Sequence, residues 1–127
     1  MKIRTALRDY LVEIEVRKYT PKTIRGYRNN LNLFLRFCEE EAGIEDMEDV
    51  ELSVVRRFSF HFSSKGKRGT YINGLLKTAK SFIQYCYDEG YGGFNTKKNF
   101  KWCKEDKAVV GQLLHLAFFY ARLISKE

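Results

Sequence analysis

Apolar residues recur along this chain at intervals of three and four and never alternate over a useful length, so the pattern predicts helices throughout. Ile3, Leu7, Tyr10, Leu11 and Ile14 place a first helix over residues 4–17, with Thr5 or a neighbour as its cap. Ile24, Tyr27, Leu31, Phe34, Leu35 and Cys38 define a second over residues 21–41, the clearest amphipathic stripe in the chain, stopping before Gly43. Its start is marked by Thr20, whose hydroxyl can accept from a free first-turn amide, and by Pro21 at the first helical position, where a missing N–H costs nothing. Ile44, Met47 and Val50 are expected to tuck beneath an acidic connection that leads to a short third helix over residues 53–62. Ser53 is its expected cap, with Val55, Phe58 and Phe62 inward. After a basic turn at residues 63–69, a fourth helix over residues 70–89 carries Ile72, Leu75, Leu76, Ala79, Phe82, Ile83 and Cys86 and ends at Gly90, Gly92 and Gly93. The expected organisation is an all-α domain over residues 1–96, a lysine-rich linker over 97–108 and a C-terminal apolar helix within 109–127.

Charge adds direction to this scaffold. The formal net charge is +7, which favours a polyanionic partner or an anionic membrane surface, and eight of the sixteen acids fall between Glu39 and Glu51 with no base among them. The rest of the chain therefore carries all 23 bases against eight acids, so a sign-polarised surface is expected. A helix N-terminus carries roughly half a positive charge and normally attracts acids. The second helix instead begins with Lys22, Arg25 and Arg28, an arrangement that suits an anion docking there, phosphate above all.

Helical wheels sharpen the picture. On the second helix Lys22, Arg25, Gly26, Asn29 and Arg36 fall on or beside the side away from the apolar stripe, with Arg28 nearer the core edge. On the fourth, Thr70, Asn73, Gly74, Lys77 and Ser81 point outward, flanked by Lys80 and Gln84. A glycine inside a helix costs up to ~1 kcal/mol relative to alanine. Two of them on polar outer faces make sense where a ligand backbone comes close. The bland alternative is a pair of solvated faces with tolerated glycines.

The stretch Tyr19-Thr20-Pro21-Lys22-Thr23-Ile24-Arg25-Gly26-Tyr27, continuing through Leu31, Phe34 and Leu35, resembles the second helix of the core-binding domain of tyrosine recombinases, the phage and transposon integrases. Residues 72–82, beginning Ile72-Asn73-Gly74-Leu75-Leu76-Lys77, resemble that family's fourth helix, and the likeness spans roughly residues 3–96. It implies a SAM-like helical fold, with a bundle of four main helices here followed by the apolar C-terminal helix. It also implies a domain that clamps one face of a DNA recombination site. Double-stranded DNA is then the partner, contacted by Thr20, Lys22, Thr23, Arg25 and Asn29 on one helix and by Arg68, Asn73, Lys77 and Ser81 on the other. Tyr71 stands where the family has a threonine, and Thr96 where a proline often follows the asparagine near the domain's end.

The arginines, the His-x-x-Arg motif and the nucleophilic tyrosine of the family's catalytic domain have no counterpart here. The expectation is an isolated or truncated domain with no catalytic residues, no cofactor and no metal. His115 and Tyr120 share the final helix and read as packing residues. His61, between Phe60 and Phe62, reads as a surface or half-buried histidine rather than a ligand. Trp102 in the lysine-rich segment is expected to cover the domain's end, with stacking on a base as the alternative. Cys38 and Cys86 lie on apolar stripes as small core residues, and with Cys103 they form neither a disulfide framework nor a zinc spacing.

No signal-peptide core opens the chain, and its longest apolar run, residues 112–124, falls short of the ~20 residues of a membrane span. A cytoplasmic protein away from the membrane is expected. The rival class is a helical protein-interaction or dimerisation module with a basic surface. It draws on Leu113, Leu114, Leu116, Phe118, Phe119 and Leu123, which leave the last helix apolar nearly all round and in need of a second copy, a catalytic domain or its own domain to cover it. An enzyme of another type would have to work through His61 or His115.

Overall fold

The computed structural model describes residues 1–104, and the expected C-terminal apolar helix lies outside them. Four main α-helices follow one another with no strand among the described residues, as the periodicity requires: α1 (Ile3–Val16), α2 (Pro21–Phe37), α3 (Leu52–Ser64) and α4 (Gly69–Asp88). A one-turn helix, α5 (Thr96–Asn99), closes the described part.

The helix starts separate what is local from what is tertiary. Thr20 caps α2 as its residue type predicts, its Oγ1 accepting from the Thr23 N–H at 3.2 Å with Pro21 next in line. Thr5 does not cap α1. That helix begins two residues earlier, because the Ile3 N–H donates to the Glu45 carbonyl (2.8 Å) and the Met47 N–H to the Met1 carbonyl (2.8 Å). Ser53 does not cap α3 either. The helix starts at Leu52, with the Glu51 carbonyl accepting from Val54 and Val55 and no side-chain cap. In both cases the helix starts upstream of the residue expected to cap it, which lies inside the first turn, and backbone groups supply the first bonds.

The far end of α2 widens into a π-helical turn, Cys38–Ala42, and stops at Gly43 in the left-handed conformation (φ 67°). The Arg57 guanidinium donates to the Glu41 carbonyl at 3.2 Å, meeting one of the turn's free acceptors. Beyond it Met47 and Val50 are fully buried and Ile44 partly so, as their apolar character predicts. Gly92 permits this closure. At φ +124° a Cβ there would lie 2.7 Å from the Glu48 nitrogen, so only glycine lets the turn after α4 meet the acidic connection.

Aromatic rings tie the helices together. Phe34 of α2 meets Phe58 of α3 edge-on at 5.1 Å, and Tyr10 of α1 lies 5.6 Å from Phe82 of α4. Ile14, Leu31, Leu76 and Ile83 fill the space between them with almost no exposure. A polar bond joins α2 to α4 within this layer: the Asn30 amide of α2 donates to the Thr78 hydroxyl of α4 at 3.1 Å, and that hydroxyl donates to the Gly74 carbonyl at 3.2 Å. It fixes the register of the two helices that carry most of the candidate site.

Candidate nucleic-acid interface

Lys22, Thr23 and Arg25 on the first two turns of α2 and Asn29 on the third are all exposed, and no acid occupies its first turn. Thr20 and Thr23 spend their hydroxyls on each other, the Thr20 Oγ1–H donating to Thr23 Oγ1 at 2.8 Å while accepting the cap bond. Arg25 and Arg28 border a shallow depression shared with Glu15 of α1, so Arg28 is more exposed than its place near the core edge predicts. Gly26 has nothing within 4 Å of where a Cβ would stand, and neither has Gly74 on α4. Nothing in the fold requires either glycine.

On α4, Arg68 sits exposed at the cap position, followed by exposed Thr70, Gly74 and Lys77 and half-buried Ser81. The Ser81 hydroxyl donates back to the Lys77 carbonyl at 3.2 Å, in the manner of a helix-surface serine. Asn73 differs from its expected outward pose. Its amide nitrogen donates to the Cys103 carbonyl at 2.8 Å and its oxygen accepts from the Cys103 N–H at 2.9 Å, so both ends of the amide are held by backbone 30 residues away.

Two depressions run along this face. One, of about 530 Å³, is bounded by Thr70, Asn73, Gly74, Lys77, Trp102 and Cys103. The other, of about 710 Å³, brings Lys77, Lys80 and Ser81 of α4 together with Arg17 and Tyr19, just before the Thr20 cap, and with Lys97. Lys77 and Trp102 border both, so the two depressions adjoin and together make up a trough along this face. The larger depression thus joins the turn just before α2 to the middle of α4, with Asp88 and Glu89 lining it beside the cations. Arg17 and Tyr19 lie outside the wheels of α2 and α4, so their place beside α4 comes from the fold alone. Lys80 was placed only on the flank, and its ammonium lies 5.6 and 5.4 Å from the ring centroids of Phe100 and Trp102.

The acids of residues 39–51 are gathered elsewhere. Arg4 pairs with Glu39 (2.7 Å), Lys2 with Glu45 (3.0 Å) and Asp46 (3.6 Å), and the Met1 ammonium with Glu48 (2.8 Å). These pairs are at the start of α1, whereas Arg17 and Tyr19 follow its far end, about 21 Å away at 1.5 Å per residue. Along α1 the separation of charge expected from the sequence is only partial, because Glu13 and Glu15 lie at the far end too and Glu13 pairs with Arg17 at 3.0 Å. The acidic end is partly neutralised by N-terminal bases that composition alone did not assign to it.

The remaining candidates are accounted for by packing. His61 is half-buried between the rings of Phe37 (5.3 Å) and Phe62 (5.1 Å). Burial pushes the thiols of Cys38 and Cys86 up to about 12, the pKa of inert core cysteines rather than nucleophiles. Tyr71, in place of the family's threonine, stays exposed and meets Phe62 edge-on, with the Lys67 ammonium 5.4 Å from its ring. Thr96 is buried, its N–H and hydroxyl both donating to Gln84 Oε1 at 2.8 and 2.7 Å. Among the described residues no helix is long and apolar enough to cross a membrane. His115 and Tyr120 lie outside the described residues.

This all-α bundle is of a recognised kind. Residues 7–90 match the phage integrase N-terminal SAM-like domain, and the chain belongs to that family. It is similar to the tyrosine recombinase XerC of Thermodesulfovibrio yellowstonii, 34% identical over 84 residues, which is 65% of this chain and 26% of that protein. The XerC proteins of Chlorobaculum parvum (33% over 79 residues, 58% of this chain and 24% of the relative) and Chlorobaculum tepidum (32% over 90 residues, 66% and 27%) are similar to it as well. The chain spans about a quarter of the length of these relatives. No solved structure matches it. A recombinase-related role follows from this membership.

Proposed function

We propose that the chain binds double-stranded DNA as the core-binding part of a tyrosine recombinase, contributing recognition and no chemistry. The observation that carries this is the pair of open glycines. Gly26 and Gly74 stand on exposed cationic helix faces with empty space where a Cβ would go, and each costs the free helix up to ~1 kcal/mol. A duplex backbone brought against both faces gives that cost a purpose.

In this function Lys22, Arg25, Arg68 and Lys77 neutralise phosphates and set the register of the domain on the duplex. Asn29, exposed on α2, can offer its amide to an adenine edge in the major groove. Thr20, Thr23 and Ser81 use their hydroxyls within the fold and still have oxygen lone pairs to accept bonds from bases or bridging water. Asn73 is engaged with Cys103 and is set aside as a base reader. Site-specific recombination and DNA integration belong to the longer proteins this domain resembles, and the proposal extends to them only as the setting in which it works.

The test is a titration of a dye-labelled duplex, followed by anisotropy, with the full chain and the variants Lys22→Ala, Arg25→Ala and Lys77→Ala. Each should weaken binding, while Glu40→Gln on the acidic side should not. Equal affinity across all of them overturns the assignment of α2 and α4. A second reading, a self-associating module, is favoured by Val12 and Val16, one turn apart on α1 and 58% and 70% exposed. It predicts a dimer mass without DNA that Val16→Asp abolishes.

A further inference from the structure

After α4 the chain turns back and runs antiparallel along it. Thr96 is tied to Gln84, Phe100 and Trp102 lie against Lys80, and Cys103 is tied to Asn73, so the partner number on α4 falls as the chain advances. The Phe100 and Trp102 rings meet edge-on at 5.0 Å in the middle of the returning strap. Its charge is of one sign. Lys97, Lys98, Lys101 and Lys104 are all exposed, and residues 96–104 hold no acid. Trp102, 49% exposed, forms the shared rim of the two depressions on the α4 face, with Lys77 between them. Asp88 and Glu89 bound the trough only at the far end of α4, where Gln84 Nε2 donates to Asp88 at 3.0 Å.

We infer that residues 96–104 are a third DNA-contacting element, which with α4 encloses a trough for one sugar–phosphate strand, and that Asn73 is the positioning residue that holds this element in place. Lysines of the strap meet phosphates, Lys97 inside the trough and Lys101 and Lys104 from its outer side. Trp102, half exposed on the rim, meets sugars or bases as the strand passes. The two bonds from Asn73 to Cys103 set how far the strap stands from α4, and so the width of the trough. A segment that composition reads as a linker thereby becomes part of the binding surface. This rests on the DNA-binding function proposed above.

Trp102 is the chain's single tryptophan, so its emission reads the strap alone. A random-sequence duplex is titrated into the full chain at low salt. Binding is followed by anisotropy of a dye on the DNA, and Trp102 by its emission and its quenching by acrylamide. The strap as DNA contact requires Trp102 emission to change in step with anisotropy and acrylamide access to fall. Asn73→Ala should raise acrylamide access in the free protein and weaken binding about tenfold at roughly 0.1 M salt, equally on all sequences, as loss of about one phosphate contact does.

Anisotropy that rises while Trp102 is unmoved overturns the strap and leaves DNA binding by α2 and α4 intact. No rise in anisotropy at all overturns the DNA-binding function itself. An Asn73→Ala variant that loses affinity for one preferred sequence only, with Trp102 unchanged in the free protein, makes Asn73 a base reader and overturns its positioning role. The wild-type signal decides the strap even if that variant does not fold.

Discussion

Asn30 and Thr78 form a hydrogen bond of 3.1 Å across the interface of α2 and α4, joining the two helices whose outer faces carry most of the candidate DNA contacts. Thr78 is 3% exposed, so its hydroxyl has no ready substitute in water. Thr78→Val keeps the shape and leaves the Asn30 amide without its partner. The expected loss is about 1–3 kcal/mol, read from urea unfolding, as for other half-buried donors stripped of a partner. A change within error would mean that apolar packing alone sets the register of these helices.

Gly26→Ala and Gly74→Ala should separate stability from binding. With open space at both Cβ positions, alanine should stabilise the free protein by up to ~1 kcal/mol per site. Each methyl should also weaken DNA binding by holding the duplex away from the helix. Unfolding midpoints and duplex titrations on the same samples give both numbers. Stabilisation with unaltered affinity would return these glycines to tolerated accidents.

Gly92→Ala should behave in the opposite way. The new Cβ would stand 2.7 Å from the Glu48 nitrogen in a backbone conformation that only glycine adopts easily. Destabilisation well above ~1 kcal/mol is expected, with the thermal midpoint as readout. An effect as small as that of an exposed alanine would mean that the turn moves away from the acidic connection without penalty.

The contrast between these glycines marks what could be read from the chain beforehand. Gly26 and Gly74 stood out because helix periodicity is a local property, and the Thr20–Pro21 cap was legible for the same reason. Thr5 and Ser53 misled because both helices start upstream of them, α1 where the Ile3 N–H meets the Glu45 carbonyl more than 40 residues away. The strap was hidden twice over. Its lysines give it a linker's composition, and the bonds that hold it join Asn73 to Cys103 and Gln84 to Thr96. Asn73 looked like an outward polar residue for the same reason, since a helical wheel cannot see a chain that returns.

Acid should unfold this domain partly through one carboxylate. The Tyr91 hydroxyl and then the Tyr85 hydroxyl, each 2.7 Å from Asp9, hold its carboxyl below its ordinary value. A depressed folded pKa contributes stability above the unfolded pKa, about 3.9, and loses it as pH falls through the folded value. Asp9→Asn removes that titration, so its stability should fall less steeply than wild type on acidification. The same bond raises the pKa of Tyr91, adding stability below about pH 10 that is lost as pH climbs through the folded value. Parallel acid limbs for wild type and Asp9→Asn would remove Asp9 from the account.

The most direct measurement of the central claim is the salt dependence of duplex binding by the full chain. If the exposed cations of α2 and α4 engage about six phosphates, the association constant should fall on the order of 10³-fold between roughly 50 and 200 mM salt, and Lys22→Ala or Lys77→Ala should each lower the slope by about one. A flat slope, or one that these substitutions leave unchanged, would contradict a DNA-binding role for these helices.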